Sequence, residues 1–314
     1  MIGALFYFAA GIVLLALGGD SVVKSASGLA RRAGFSPFVT GLVLVAFATS
    51  VPELAVNLRA MWIGNHALAL GNAVGSNIAN FGLTLGAAAL CAPLLIRWKA
   101  LSSLLVCLVL ATLATILLGQ DGMLTRVDGL VLLAAFVVVF GFAFAFGRRQ
   151  PELRSEFAGF ADTRTDLALN LARFAIAAAL LFFGAKWVVQ GGAALGLALG
   201  MESLLSGLLL VAIGTALPEV SAAIAAARRG QGDIVAGHVI GSSLFNLLVV
   251  VGGMAVVRDV PLPASFVRFE LPAALVFSLL LLPMLRGDLR ISRAEGGVLV
   301  LAFLAWVAFE LLLM

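Results

Sequence analysis

Ala48–Leu54, ATSVPEL, lies inside an otherwise apolar run that begins at Gly41. Proline removes a helix donor and frees a carbonyl one turn back. A carboxylate in lipid costs several kcal/mol unless something pairs with it. A second stretch, GTALPEV at Gly214–Val220, repeats the anomaly. Gly41–Glu53 (GLVLVAFATSVPE) aligns without gaps on Gly207–Glu219 (GLLLVAIGTALPE), with eight identities in thirteen positions. At the same offset of 166 residues, Gly71–Asn80 (GNAVGSNIAN) falls on Gly237–Asn246 (GHVIGSSLFN). Two motifs that keep one offset mark an internal duplication, and that duplication decides the fold.

The 314 residues are 62% hydrophobic and 11% charged, far from the balance of a soluble domain, and identify a multi-pass membrane protein. Stretches long enough for a ~30 Å hydrocarbon core fall at 3–23, 37–61, 67–90, 100–118 and 127–147, then at 169–190, 203–227, 233–257, 269–285 and 294–313. The first has no Lys or Arg ahead of it and reads as a span, not a cleaved signal peptide. The expected fold is therefore an all-α membrane protein of ten transmembrane helices. Residues 1–147 form the first five-span repeat, 148–168 a charged linker and 169–314 the second repeat. Because five is odd, the second repeat enters the membrane from the opposite side. Such inverted repeats are a common plan of secondary transporters, with the substrate site near the midplane where the repeats meet.

The basic residues give the orientation. Lys24, Arg31, Arg32, Arg97, Lys99, Arg148, Arg149, Arg154, Arg164, Arg173, Arg228, Arg229, Arg286, Arg290 and Arg293 fall on one side. Arg59, Arg126, Arg258 and Arg268 fall on the other, and Lys186 lies within a span. The excess places the linker in the cytoplasm and both termini outside; the expected location is a plasma membrane, of the prokaryotic inner-membrane kind. The net charge of +4 thus reports topology, and no basic stripe with interleaved aromatics suggests nucleic acid. Cys91 and Cys107 have no metal spacing and read as free thiols in apolar runs. No HExxH or GxSxG set is present, so the chain does not read as an enzyme, and no cofactor is expected.

The polar groups within the spans share helix faces. Thr49 and Glu53 are four apart and lie with Ala46 and Ser50; Ala212, Thr215 and Glu219 repeat the set, with Ala216 in place of Ser50. Ser76 with Asn80, and Ser242 with Asn246, follow the same spacing. Pro52 and Pro218 are expected to disrupt their helices and release carbonyl oxygens. The donor set is all oxygen, which suits a hard cation such as Ca²⁺. Two nearby carboxylates in a low dielectric cannot both stay ionised and unpaired, so a divalent cation, monovalent cations or protons must meet them. Competition for one pair of charges is the physical basis of antiport. Of the remaining polar positions, Asn57 is balanced between a structural and a functional role, and Asn77 and Ser243 are secondary. His238 reads as a helix-interface residue, while Asp20 and Lys186 read as groups near span ends.

These two motif pairs resemble the α-repeats of the sodium/calcium exchanger family, within the cation/calcium antiporter superfamily, and the resemblance covers essentially the whole chain. It implies alternating access of a central four-helix core, with the long first span of each repeat sliding against it. The implied ligands of transported Ca²⁺ and Na⁺ are Glu53, Asn80, Glu219 and Asn246, joined by Thr49, Ser50, Ser76, Thr215 and Ser242 and by the carbonyls of Ala46 and Ala212. The expected partners are these cations and the lipid bilayer, and the chain is expected to act as a monomer. Some members carry Asp where this chain has Asn246, so this site holds at most two negative charges. Ca²⁺/Na⁺ exchange is the first reading and Ca²⁺/H⁺ exchange the alternative, ahead of a cation channel or sensor.

Overall fold

A computed structural model describes residues 1–34, 50–96, 100–147, 163, 165–286 and 289–312. It is helical almost throughout, as a lipid-embedded backbone must be when no water satisfies its polar groups. The first half contributes α1 (Ile2–Arg32), α2 (Val51–Trp62), α3 (His66–Cys91), α4 (Ala100–Leu118) and α5 (Arg126–Gly147). The second contributes α6 (Leu167–Ala198), α7 (Ser203–Arg228), α8 (Gly232–Val257), α9 (Phe266–Glu270 continuing as Leu271–Arg286) and α10 (Arg293–Leu312). Nine of these are long and apolar enough to cross a membrane. The remaining expected span, 37–61, is described only from Ser50 onward, as α2 and its cap. The result is a two-repeat, all-helical membrane fold.

The duplication is visible element by element. The offset of 166 carries α3 onto α8, and within them the π-helical turn Asn80–Leu85 onto Asn246–Val251. Four two-residue strands also correspond, and each pairs with the opposite half. Leu94–Leu95 (β1) is antiparallel to Arg290–Ile291 (β4), and Met123–Leu124 (β2) to Val260–Pro261 (β3). β1 and β2 lie at opposite ends of α4, so the two sheets stitch the repeats together at opposite ends of the bundle. This pairing requires the loop after α3 to share a side with the loop after α9. The inverted arrangement demands the same, and the basic-residue count agrees with it.

α1 and α6 are longer than their apolar cores suggest, at 31 and 32 residues. Each is about 46–48 Å long at 1.5 Å per residue, more than a ~30 Å core needs. They pack along each other, with small residues at the contact: a Cβ added at Gly11 would sit 2.7 Å from the Val188 nitrogen. The outer turns of α1 are polar and those of α6 are rich in glycine and alanine (Gly191–Ala198, GGAALGLA), so the sequence places their ends too early. At the centre lie α3 and α8, with 78% of their spanning windows buried against 22% for α1 and α6. α3 meets α7 backbone to backbone. A Cβ added at Gly75 would lie 2.6 Å from the Leu208 carbonyl oxygen, the kind of approach only a glycine permits.

The two prolines differ. Pro218 lies inside a continuous α7, against expectation, whereas Pro52 stands in the first turn of α2, and the residues before Ser50 lie outside the described ones. A proline deletes one backbone bond, and the helices packed around α7 hold its axis through the gap. The Gly214 carbonyl loses its donor, while the helix persists.

Candidate functional site

Glu53, in the first turn of α2, is 5% exposed, and Glu219, in the middle of α7, is 9% exposed. Their carboxyl groups face each other within hydrogen-bonding reach. The two residues are 166 apart, so they are the same residue of the two repeats. Equivalent residues can touch only across the axis that relates the repeats. Oε2 of each has no hydrogen-bond partner. Among the described residues no basic side chain pairs with either carboxyl.

A second pair of equivalents meets on the same axis. Asn77 Nδ2 donates to the Ser243 carbonyl at 3.1 Å, and 243 is 77 plus 166. Asn77 Oδ1 in turn accepts from Asn246 Nδ2 at 3.2 Å. This fixes the Asn246 amide, leaving its Oδ1 buried and without a partner. Asn77 was secondary in the sequence; its place on the axis makes it the group that orients a candidate ligand. The common offset was its only signal, and the Asn-to-Ser difference between the repeats obscured it.

Asn80 and Asn246, both buried, each start a π turn. Such a turn holds one residue more than an α turn and frequently marks functional positions. Ser76 and Ser242 sit one turn earlier; Ser76 Oγ has no partner, whereas Ser242 Oγ is 3.3 Å from His238 Nδ1. Thr215 donates to the carbonyls of Val211 and Ala212 at 3.1 and 3.2 Å. Its proton is therefore committed to its own helix and its lone pairs remain for another group. Ser50 and Ala212 are buried, and Ser50 Oγ has no partner. Ala46 and Thr49 lie outside the described residues. Asn57, balanced in the sequence, accepts from Asn72 Nδ2 at 3.0 Å, a bond with no twin because the second repeat has Ala223 and His238.

A cavity of about 360 Å³ is lined by Thr215, Pro218, Glu219, Pro52 and His238, and extends along α1 and α7 to Asp20 and Arg229. Asp20, read as a span-end group, pairs with Lys24 at 2.6 Å and faces this cavity. The Arg229 end is the β1–β4 end, because Gly232, three residues later, lies against Leu95. The candidate site is therefore reached along the face that leads to the arginine-rich end of the bundle. No group of three or more His, Cys, Asp or Glu is present among the described residues. A metal ion here would draw on two carboxylates, amide oxygens, hydroxyls and carbonyls, which is hard-cation chemistry.

The family model for sodium/calcium exchanger proteins matches residues 3–145 and 169–312, one match to each repeat. The chain belongs to the sodium/calcium exchanger family. It is 33% identical to the putative antiporter CaxA of Alkalimonas amylolytica, with 98% of each chain aligned. It is 30% identical to the sodium/calcium exchanger MaX1 of Methanosarcina acetivorans, with 95% of each aligned. Structures of the sodium-calcium exchanger NCX_Mj, soaked with Na⁺ and with Sr²⁺ or Ca²⁺, cover 97–98% of the chain at 28% identity, with TM-scores of 0.67 to 0.68. The exchanger family is one of transporters, and its two-repeat helical fold is the one described above.

Proposed function

We propose that this protein is a secondary antiporter that exchanges Ca²⁺ for Na⁺ by alternating access. The observation that carries the reading is the pair Glu53 and Glu219, face to face on the axis of the repeats with an unpartnered oxygen on each. Like charges about 4 Å apart repel by roughly 4 kcal/mol at an effective dielectric of 20. An ion or proton must offset that repulsion, and one Ca²⁺ offsets both charges. Asn80 and Asn246 supply amide oxygens, Thr49, Ser50, Ser76, Thr215 and Ser242 hydroxyls, and Ala46 and Ala212 carbonyls. Two or three Na⁺ entering the same oxygens would displace Ca²⁺ and return the carriers to a charge-compensated state. The names of MaX1 and NCX_Mj, and the Na⁺ and Ca²⁺ used with NCX_Mj, support this choice of ions.

The cavity reaches one end of the bundle, and a transporter of this kind would expose the pair alternately to each side as α1 and α6 shift against the core. Following the basic residues, that end is cytoplasmic, the linker 148–168 is cytoplasmic and both termini are outside, in a plasma membrane. Each protomer holds a whole site, which fits a monomeric unit. Two carboxylates with Asn at both 80 and 246 could equally be neutralised by two protons, so Ca²⁺/H⁺ exchange is the competing reading. The test is ⁴⁵Ca²⁺ uptake into vesicles carrying the purified chain. Uptake driven by an outward Na⁺ gradient at equal pH supports the proposal. Uptake that ignores Na⁺ and follows a pH gradient assigns proton coupling, and flux without any counter-ion assigns a channel.

A further inference from the structure

The cavity runs from Glu219 along α7 and α8, where Ala222, Ala223, Ala226, Ile234, Val235 and His238 line it. The offset of 166 carries these six onto Val56, Asn57, Ala60, Leu68, Ala69 and Asn72 of α2 and α3. There the same surface is shut. All six are 0–1% exposed, whereas Ala222 is exposed and His238 half-buried. α6 packs along α2 on the shut half, while on the other half the cavity lies between α1 and α7.

Asn57 and Asn72 are the polar members of the shut set, and they meet. Asn72 Nδ2 donates to Asn57 Oδ1 at 3.0 Å, joining α2 to α3. The other two amide groups, Asn57 Nδ2 and Asn72 Oδ1, are buried without a partner. A neutral hydrogen bond contributes about 1 kcal/mol, whereas a buried polar group left unmade costs about 1–3 kcal/mol. The pair is thus half satisfied when shut, and both orphaned groups gain partners once water or an ion reaches them. Asn57 stands one helical turn beyond Glu53, and Asn72 one turn before Ser76, so the pair borders the candidate site. Because α3 ends beside β1, the end of α2 and the start of α3 lie at the β2–β3 end, opposite the end that the cavity reaches.

We infer that Asn57 and Asn72 line the second ion path, from the site to the β2–β3 end, and that their hydrogen bond latches this path shut. The inference rests on the alternating-access reading, in which inverted repeats offer equivalent paths to opposite sides. When α6 parts from α2, the bond breaks and both amide oxygens turn to the passing cation, replacing part of its water. The path along α7 has Ala223 in place of Asn57 and cannot carry this latch. The two directions of access are therefore latched unequally, by a side-chain pair that one repeat has and the other lacks.

The test reads access and needs no ion gradient. In the full chain with Cys91→Ser and Cys107→Ser, one reporter is introduced, Ala69→Cys on the shut half or Val235→Cys on the cavity half. Its labelling rate by a charged thiol reagent is measured in detergent. Val235→Cys should label faster than Ala69→Cys. Adding Asn57→Ala, the residue of the second repeat, should raise the Ala69→Cys rate about fivefold or more, the scale of one lost bond. The Val235→Cys rate should stay level or fall, because one path opens only as the other closes. Asn72→Ala removes the same bond from the other helix and should give the same rise, and it is the readout if Asn57→Ala fails to fold. The two substitutions together should add nothing to either alone, as expected of two residues that share one interaction. An unchanged Ala69→Cys rate, a rise at both reporters, or additive effects would each overturn the inference. Flux is measured separately, so failure here leaves the choice of transported ions untouched, and a different choice of ions leaves the labelling result standing.

Discussion

The two repeats share a backbone plan and differ in the polar groups they hang on it. Around the axis they agree: Glu53 meets Glu219, and the chain at Asn77 meets the chain at Ser243. One turn away they diverge. The first repeat ties Asn57 to Asn72, while the second leaves Ala223 opposite His238, which faces the cavity and reaches Ser242. At the far end the first repeat is apolar where the second buries Glu270 and Glu310. Symmetry is retained at the acids that would share one ion in the proposed exchange, and is lost where each half has its own surroundings. The differences therefore locate individual tasks, and the agreements locate the shared one.

The strongest way to break this comparison is to treat the shared acids separately. Glu53→Gln and Glu219→Gln should each lower Ca²⁺ flux by about 100-fold or more, since either leaves one buried carboxylate for a divalent ion, and losing a charged partner costs about 3–5 kcal/mol. A large flux retained by one of them in the vesicle assay would show that the repeats do not contribute equally.

Asn77 and Ser243 should behave oppositely despite their equivalence. Asn77→Ala removes two inter-repeat hydrogen bonds and strands a buried carbonyl, which should cost about 1–3 kcal/mol and lower the melting temperature in detergent. Ser243→Ala should be nearly neutral, because Asn77 uses the Ser243 backbone and the hydroxyl has no partner. Equal effects would contradict the bonding described.

The smallest effect is expected at His238. His238→Asn restores the residue found in the first repeat and releases the Ser242 hydroxyl. One neutral hydrogen bond is worth about 1 kcal/mol, so KM for Ca²⁺ should rise by roughly fivefold with little change in maximal rate. A loss of maximal rate at unchanged KM would instead place His238 in the conformational step.

Much of this was legible in the chain. The offset of 166, the two Pro-Glu pairs and the Ser-Asn spacing announced a duplicated, polar-faced bundle, because lipid makes every buried polar residue conspicuous. Asn77 was not legible, since its role depends on a partner 166 residues away and that partner is a backbone carbonyl. Nor were the ends of α1 and α6, where helix continues into a polar segment in one and a glycine- and alanine-rich segment in the other. The expected helix break at Pro218 did not form, because the helices packed around α7 outweigh one missing bond.

The sequence by itself determined that the chain crosses the membrane as two inverted helical repeats, since hydropathy, helical periodicity and an odd span count are local and additive. Only the tertiary structure decided which polar groups meet. It brought Glu53 against Glu219, turned Asn246 with Asn77 and put Asp20 on the cavity wall. Contacts of that kind depend on how the repeats pack across their axis, and helical spacing along one chain segment carries no record of it.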